Sequence, residues 1–493
     1  MALFAKAASV YFLHGGDGMN EGLDVYLSLS PGGRERRLQR AGIHAEFVSA
    51  GGSRSKGNRR MSGAAGEERV RQDRAKESHR EDIFRQRYRT AVFNLQPLGT
   101  ALLGTGMDRM SFQSIWGQPT LSSRGVPSPG TEEDTPAVTV TGERGRLFKR
   151  LGSLAVKALY GLGLDSGEVL ITAGGEGHYT VTGISPLVSA KGRALPEPYR
   201  QADEALRLAL AGEGPNRPDL LMGMDPEFIL LREDTGRVVP ASRHLPLGGA
   251  AGCDAGPPGT RGVFPVAELR PGPRAAPRAL MAQLRSAAML ADRLIPGPGI
   301  GWRAGGMPLR GWALGGHLHF SGVVLTAPLL RALDNYLALP VALLEDERAS
   351  GRRPRYGTLG DFRLQPHGGF EYRTLPSFLV SPDIARGVIA LAHLIVSRYE
   401  ALPLRPLDRE PVHAAYYGGG RKTLRAAAAP LIRQLRTLPE YAGLRGDAEP
   451  LLRMVEEGRR WEESRNIREL WRLEFDRVKD LDRSAESIFS PSR

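Results

Sequence analysis

Two polar side chains separated by a single residue, set in an apolar run, occur four times between residues 221 and 376. The run 221–231 carries Asp225 and Glu227, and the run 263–271 carries Glu268 and Arg270. The run 312–320 carries His317 and His319, and 368–376 carries Glu371 and Arg373. Side chains alternate faces along a strand, so members of a pair at i and i+2 point the same way. Each run therefore reads as a strand with a polar patch on one face and neighbours that want burial.

Any one pair has an ordinary explanation: a solvent-facing stripe for Glu-x-Arg, a surface or structural pair for His-x-His. Four in succession predict one sheet face lined with acids, imidazoles and guanidinium groups. Such a face is costly to bury unless bound charge compensates it. Converging carboxylates call for cations, and oxygen ligands favour magnesium or manganese over softer metals. Arginines beside them would face anionic oxygens. Acids, divalent ions and arginines together describe a site for phosphoryl transfer.

The chain of 493 residues is long enough for several domains with their own cores. Residues 1–145 are poorly patterned and basic, and read as partly disordered. Residues 146–190 form a small α/β unit: a helix from Leu147 to Tyr160, a strand from Gly167, a glycine turn, and a partner strand from Tyr179. Residues 191–218 are a connector. Residues 219–400 alternate strands and Gly-rich loops with helices near 277–295 and 381–401, and 401–493 is a mostly helical extension.

Composition narrows the function classes. Of the net charge of +13, +8 lies in residues 34–89, where sixteen Lys/Arg face eight Asp/Glu. A charge run of this kind is usually a solvated segment, and it lacks the interleaved aromatics of a nucleic-acid binder. Nucleic-acid binding thus rests on charge alone and ranks last. No apolar run approaches the roughly 18–20 residues that cross a bilayer, and the apolar patch at 7–13 is too short for a signal peptide. Cys253 is the single cysteine, which excludes an intrachain disulfide or a cysteine-cluster metal site. A cytoplasmic protein without membrane insertion is expected. The Gly-rich stretch 248–262 reads either as a loop closing over substrate, with Arg261 turned inward, or as a plain hairpin connection. The segment Tyr416–Leu424 starts a helix after a glycine turn, a place where an anion can sit.

The segment around Asp225 and Glu227, with Phe228 following, resembles the first acidic strand of glutamine synthetase and glutamate–cysteine ligase. Glu268–Arg270 resembles their second acidic strand, and the glycine-preceded His317–His319 their histidine strand. Arg355, then Asp361–Arg363 and Glu371–Arg373, resemble their arginine-rich loop and last acidic strand, in the same order. The resemblance covers about 219–400 and points to the phage-associated carboxylate–amine ligases, or amidoligases. It implies an α+β fold: a curved antiparallel sheet with helices on its outer face, flanked by the small α/β section and the helical C-terminal section. It also implies ATP with Mg2+ or Mn2+, and an amide formed between a small-molecule or peptide carboxylate and an amine.

By the same resemblance Asp225, Glu227, Glu268 and Glu371 would bind the metal ions, with His317 or His319 on a metal or the ATP phosphates. Arg355 and Arg373 would grip phosphate, and Arg270 would hold the substrate carboxylate or the sheet itself. Asp225 departs from the pattern, which usually has Glu there. Residues 146–186 look similar to the closing part of a degenerate ATP-grasp domain, with Gly183–Ser185 where metal ligands would stand. Two other readings stay open, a phosphotransferase on the same sheet and a non-catalytic nucleotide- or peptide-binding module.

Overall fold

The structure, a computed structural model, describes residues 20–47, 86–103, 143–174, 177–188, 195–214, 216–295, 297 and 299–473. They fall into two compact units that meet in sequence between Arg207 and Leu208. Much of the basic stretch 34–89 and the turn residues 175–176 lie outside the described residues.

The first unit opens with helices α1 (Leu23–Ser28) and α2 (Pro31–Arg40). Strands β1 (Arg87–Phe93), β2 (Gln96–Leu103), β3 (Gly167–Ala173) and β4 (Tyr179–Pro186) form an antiparallel sheet in the order β2-β1-β3-β4. Helix α3 (Glu143–Gly161) lies against β1, β2 and β3. The sequence pattern predicts α3, β3 and β4 but no element before residue 146. Here the structure adds α1, α2, β1 and β2, so β3 is a central strand and not one half of a lone hairpin. Helix α4 (Glu197–Ala211) leads out of the unit.

The second unit is built around β5 (Leu221–Arg232), a strand of 12 residues. The others are β6 (Val238–Val239), β7 (Ala251–Asp254), β8 (Val266–Leu269), β9 (Ile300–Arg303), β10 (Gly316–Ser321), β11 (Phe362–Leu364) and β12 (Phe370–Tyr372). The sheet order is β11-β12-β10-β5-β8-β7, with β6 and β9 also pairing with β5, and the pairings are antiparallel. On one face Met222, Met224 and Phe228 of β5 are buried with Leu318, Phe320, Phe370 and Tyr372. Alternation leaves Asp225, Glu227, His317, His319 and Glu371 on the other face. The Gly-rich stretch 248–262 contains β7, which pairs antiparallel with β8, so most of the stretch lies in a β7–β8 hairpin.

Helices α5 (Pro277–Leu294), α7 (Pro382–Arg398) and α10 (Tyr441–Glu457) pack in succession. Between α5 and α7 in sequence, α6 is α-helical over Ala327–Leu333, opens into a π turn over Asp334–Ala338, and closes over Leu339–Leu344. Asp334 in this turn accepts a hydrogen bond from the Tyr372 hydroxyl at 2.7 Å, which fastens α6 beneath β12. By length and composition α6 could cross a membrane, contrary to the expectation that no run comes close. However, 89% of it is buried inside the fold, so its apolar surface is satisfied by packing.

Helices α8 (Glu410–Gly418), α9 (Arg421–Thr437) and α11 (Ile467–Leu470) complete the unit. The α-helical start at Arg421 is used structurally, since its guanidinium donates to the Leu343 carbonyl near the end of α6. Arg468 of α11, 1% exposed, donates to Asp292 of α5 and to the carbonyls of Gly297 and Ile300, and lies over the Trp302 ring. Removing a buried cation from its partners typically costs about 3–5 kcal/mol. Arg468→Met is therefore expected to lower the free energy of unfolding by an amount in that range, measured by urea unfolding.

Candidate active site

Strand register decides which polar pairs meet. Asp225 stands opposite His317 across β5 and β10, and Glu227 opposite Glu268 across β5 and β8. His319 stands opposite Glu371 across β10 and β12, and Glu371 opposite Arg363 across β12 and β11. All four acids and both histidines named from the sequence thus share one face.

Their contacts are close. His317 Nδ1 lies 3.1 Å from Asp225 Oδ1 and 3.2 Å from Glu371 Oε1, and His319 Nε2 lies 3.0 Å from Asp225 Oδ2. Glu371, 2% exposed, is 3.2 Å from Arg363 and 3.4 Å from Arg373, and accepts from Gln365 at 3.0 Å. Glu227 accepts from the Gly315 amide at 2.7 Å. Arg270 pairs with Glu268 and donates to the Leu247 carbonyl at 3.1 Å, so its side chain holds β7 and its loop to the sheet. Two glycines make room for this arrangement. A Cβ on Gly252 would fall 2.1 Å from Arg270 Nη1, and one on Gly315 would fall 2.5 Å from His317 Nε2.

The acids are accommodated in different ways. Burial alone would raise the Asp225 pKa, but hydrogen bonds from His317 and His319 outweigh it and hold the carboxyl well below its usual range. Burial, followed by the negative charge of Asp225, pushes Glu268 up to about 9. Burial likewise raises Glu227. For His317 burial opposes protonation, yet the hydrogen bond to Asp225 and the charge of Glu227 raise its pKa. Asp225 Oδ1 and Glu268 Oε2 are both buried, the first against His317 Nδ1 and the second against the Arg270 guanidinium.

Asp225, His319 and Glu371 each offer a ligand atom, and these atoms lie within 4.8 Å of one another. The donor set is mainly oxygen with imidazole, which suits magnesium or manganese. Not every expected residue is drawn in. Arg355 is exposed, its guanidinium stands 5.6 Å from the centre of the Tyr356 ring, and it makes no ion pair among the described residues. Arg261 is exposed as well. Conversely, Arg363, Gln365 and Asp254 enter the site environment without having been singled out as site residues, Asp254 through its charge beside Glu227 and Glu268. Arg363 and Gln365 repeat the i, i+2 spacing, but β11 is too short and exposed to announce itself as a strand.

The family model of the phage phiEco32-like COOH·NH2 ligase-type 2 matches residues 222–473, from β5 to the end of the described chain. The chain belongs to this family. Every acidic strand of the site lies within the matched region, and the first unit lies outside it. The ligase family joins carboxylates to amines, and that reaction class is the frame for the site. Among solved structures the chain is similar to a bifunctional glutathione synthetase from Pasteurella multocida, at 10% identity and a TM-score of 0.32. That likeness covers 58% of this chain and 51% of the other, so the chain spans about half the length of that protein. No curated protein matches.

A Glu whose folded pKa is raised loses stability as pH climbs from its unfolded value, about 4.3, toward the folded one. In cation-free protein, Glu268→Gln is expected to raise the melting temperature at pH 8 and to change it much less at pH 4. Scanning calorimetry in chelator checks this, and an equal shift at both pH values would contradict the burial cost assigned to Glu268.

Proposed function

We propose that the chain is an ATP- and divalent-cation-dependent ligase that forms an amide between a small-molecule or peptide carboxylate and an amine. The observation that carries this reading is the convergence of four carboxylates and two imidazoles from four strands on one sheet face, edged by Arg363 and Arg373. The order of these strands and their antiparallel pairing support a glutamine-synthetase-like catalytic fold.

Asp225, Glu227, Glu268 and Glu371 would hold the cations, with His317 or His319 beside them. When bound, the cations supply positive charge that screens a triphosphate from the carboxylates. Arg373 and Arg363, already drawn to Glu371, are placed to turn toward phosphoryl oxygens once cations satisfy that carboxylate. Arg270 stays with Glu268 and the β7 loop and keeps the acidic end in position. In the reaction a substrate carboxylate oxygen takes the γ-phosphoryl group of ATP and ADP leaves. The amine nitrogen then attacks the acyl carbon, phosphate departs, and the amine gives up a proton.

ADP and phosphate release, screened against pools of amino acids and peptides, tests this. Amine-dependent release with a product of amide mass is the expected result. A stable phosphorylated product without phosphate release would mark a phosphotransferase instead, and tight ATP binding without turnover a binding module. Glu371→Gln should lower turnover on the order of 100-fold or more while circular dichroism remains native. Near-normal turnover in that variant would remove Glu371 from the site.

A further inference from the structure

The loop between α6 and β11 is fixed from below by two buried guanidinium groups. Arg352, with a side chain 1% exposed, donates to the Thr374 carbonyl at 2.7 Å and lies 3.8 Å from Glu345. Arg353 pairs with Glu345 at 2.6 Å and sits 4.4 Å from the centre of the Tyr416 ring. The Tyr416 hydroxyl donates to the Gly357 carbonyl at 3.1 Å, and the Leu359 amide donates to the Tyr417 hydroxyl at 3.2 Å. The Thr374 hydroxyl donates to the Thr358 carbonyl at 2.9 Å. Gly357, at φ +71°, leaves the space that Arg352 fills, since a Cβ there would fall 2.5 Å from the Arg352 guanidinium carbon. Burying two cations to hold one loop is expensive unless the loop must keep its shape.

What this loop displays is an exposed pair. Tyr356 is 44% exposed, and the Arg355 guanidinium stands 5.6 Å from the centre of its ring. The far end of the loop is tied to the strand that carries the site arginine, because the Arg373 amide donates to the Asp361 carbonyl at 2.8 Å. An exposed aromatic ring on an anchored loop, with a guanidinium beside it, suits a flat heteroaromatic ring, which binds by stacking with little regard to its edge groups.

We propose that Tyr356, together with Arg355, is the stacking platform for the base of the nucleotide, with Arg363 and Arg373 at the phosphate end. This rests on the ATP-dependent reading above. It moves Arg355 from the phosphates, where the sequence pattern put it, to the base.

Equilibrium binding of ATP and of inorganic tripolyphosphate, each with magnesium, separates the two ends of the ligand. Tyr356→Ala should weaken ATP by about tenfold, the loss expected for one stacked base, and leave tripolyphosphate unchanged. Tyr356→Trp should retain ATP binding. Unchanged ATP affinity in Tyr356→Ala, or an equal loss for both ligands, overturns the proposal while leaving the ligase reading in place. Wild-type protein that binds tripolyphosphate but not ATP also overturns the platform. If wild-type binds neither, the ATP-dependent reading falls with it.

Discussion

The central strand β5 carries two surfaces with opposite demands, and the rest of the catalytic unit follows from keeping them apart. On one side Met222, Met224 and Phe228 close against the core, and on the other Asp225 and Glu227 must stay hydrated, paired or protonated. Pairing with β10 brings imidazoles to Asp225, while pairing with β8 sets Glu268 directly against Glu227. The first contact relieves negative charge and the second concentrates it. A face that buries four acids, even paired ones, is less stable than an apolar one of the same shape, which is the usual cost of a site able to receive cations.

Rigidity comes from beneath. The π turn in α6 puts Asp334 under the Tyr372 hydroxyl, and Tyr372 is the neighbour of Glu371 on β12. Two residues further, Thr374 is held by Arg352. Strand β12, which carries Glu371, and the segment after it, which carries Arg373, are thus braced at Tyr372 and Thr374, which limits how far either side chain can drift. Sites on braced strands keep geometry better than sites on free loops. Where the unit does use a loop, at 353–361, it fixes that loop with the same kind of buried polar contact.

The sequence exposed the paired residues because their signal is strong and local: two polar groups at strand spacing inside apolar flanks. It was weaker wherever that contrast faded. Arg363 on a short, exposed edge strand and Gln365 just after it look like loop residues until β12 is placed beside them. Strand β7 is hidden in a glycine-rich stretch because its partner β8, not its own composition, makes it a strand. Arg355 differs from these, being named by the resemblance and exposed beside the Tyr356 ring. Its place in an ordered motif pointed to phosphate, but the buried anchoring of Arg352 and Arg353 turns their neighbour outward. In the first unit β1 went unread because it follows a charged run, and β2 because Pro97 and Gly99 break its apolar pattern.

By itself the sequence determined which side chains share a strand face, since the two-residue period is a property of the backbone and needs no partner. It also determined the chemical kind of that face, acid with imidazole and guanidinium. Only the tertiary structure decided which faces meet, because register depends on pairing between segments far apart in the chain. With register came the shifts in acidity: histidines from β10 pull the Asp225 carboxyl below its usual range, and burial with the charge of Asp225 pushes Glu268 up. Those outcomes depend on distance and solvent exclusion, and neither quantity is written in a linear string.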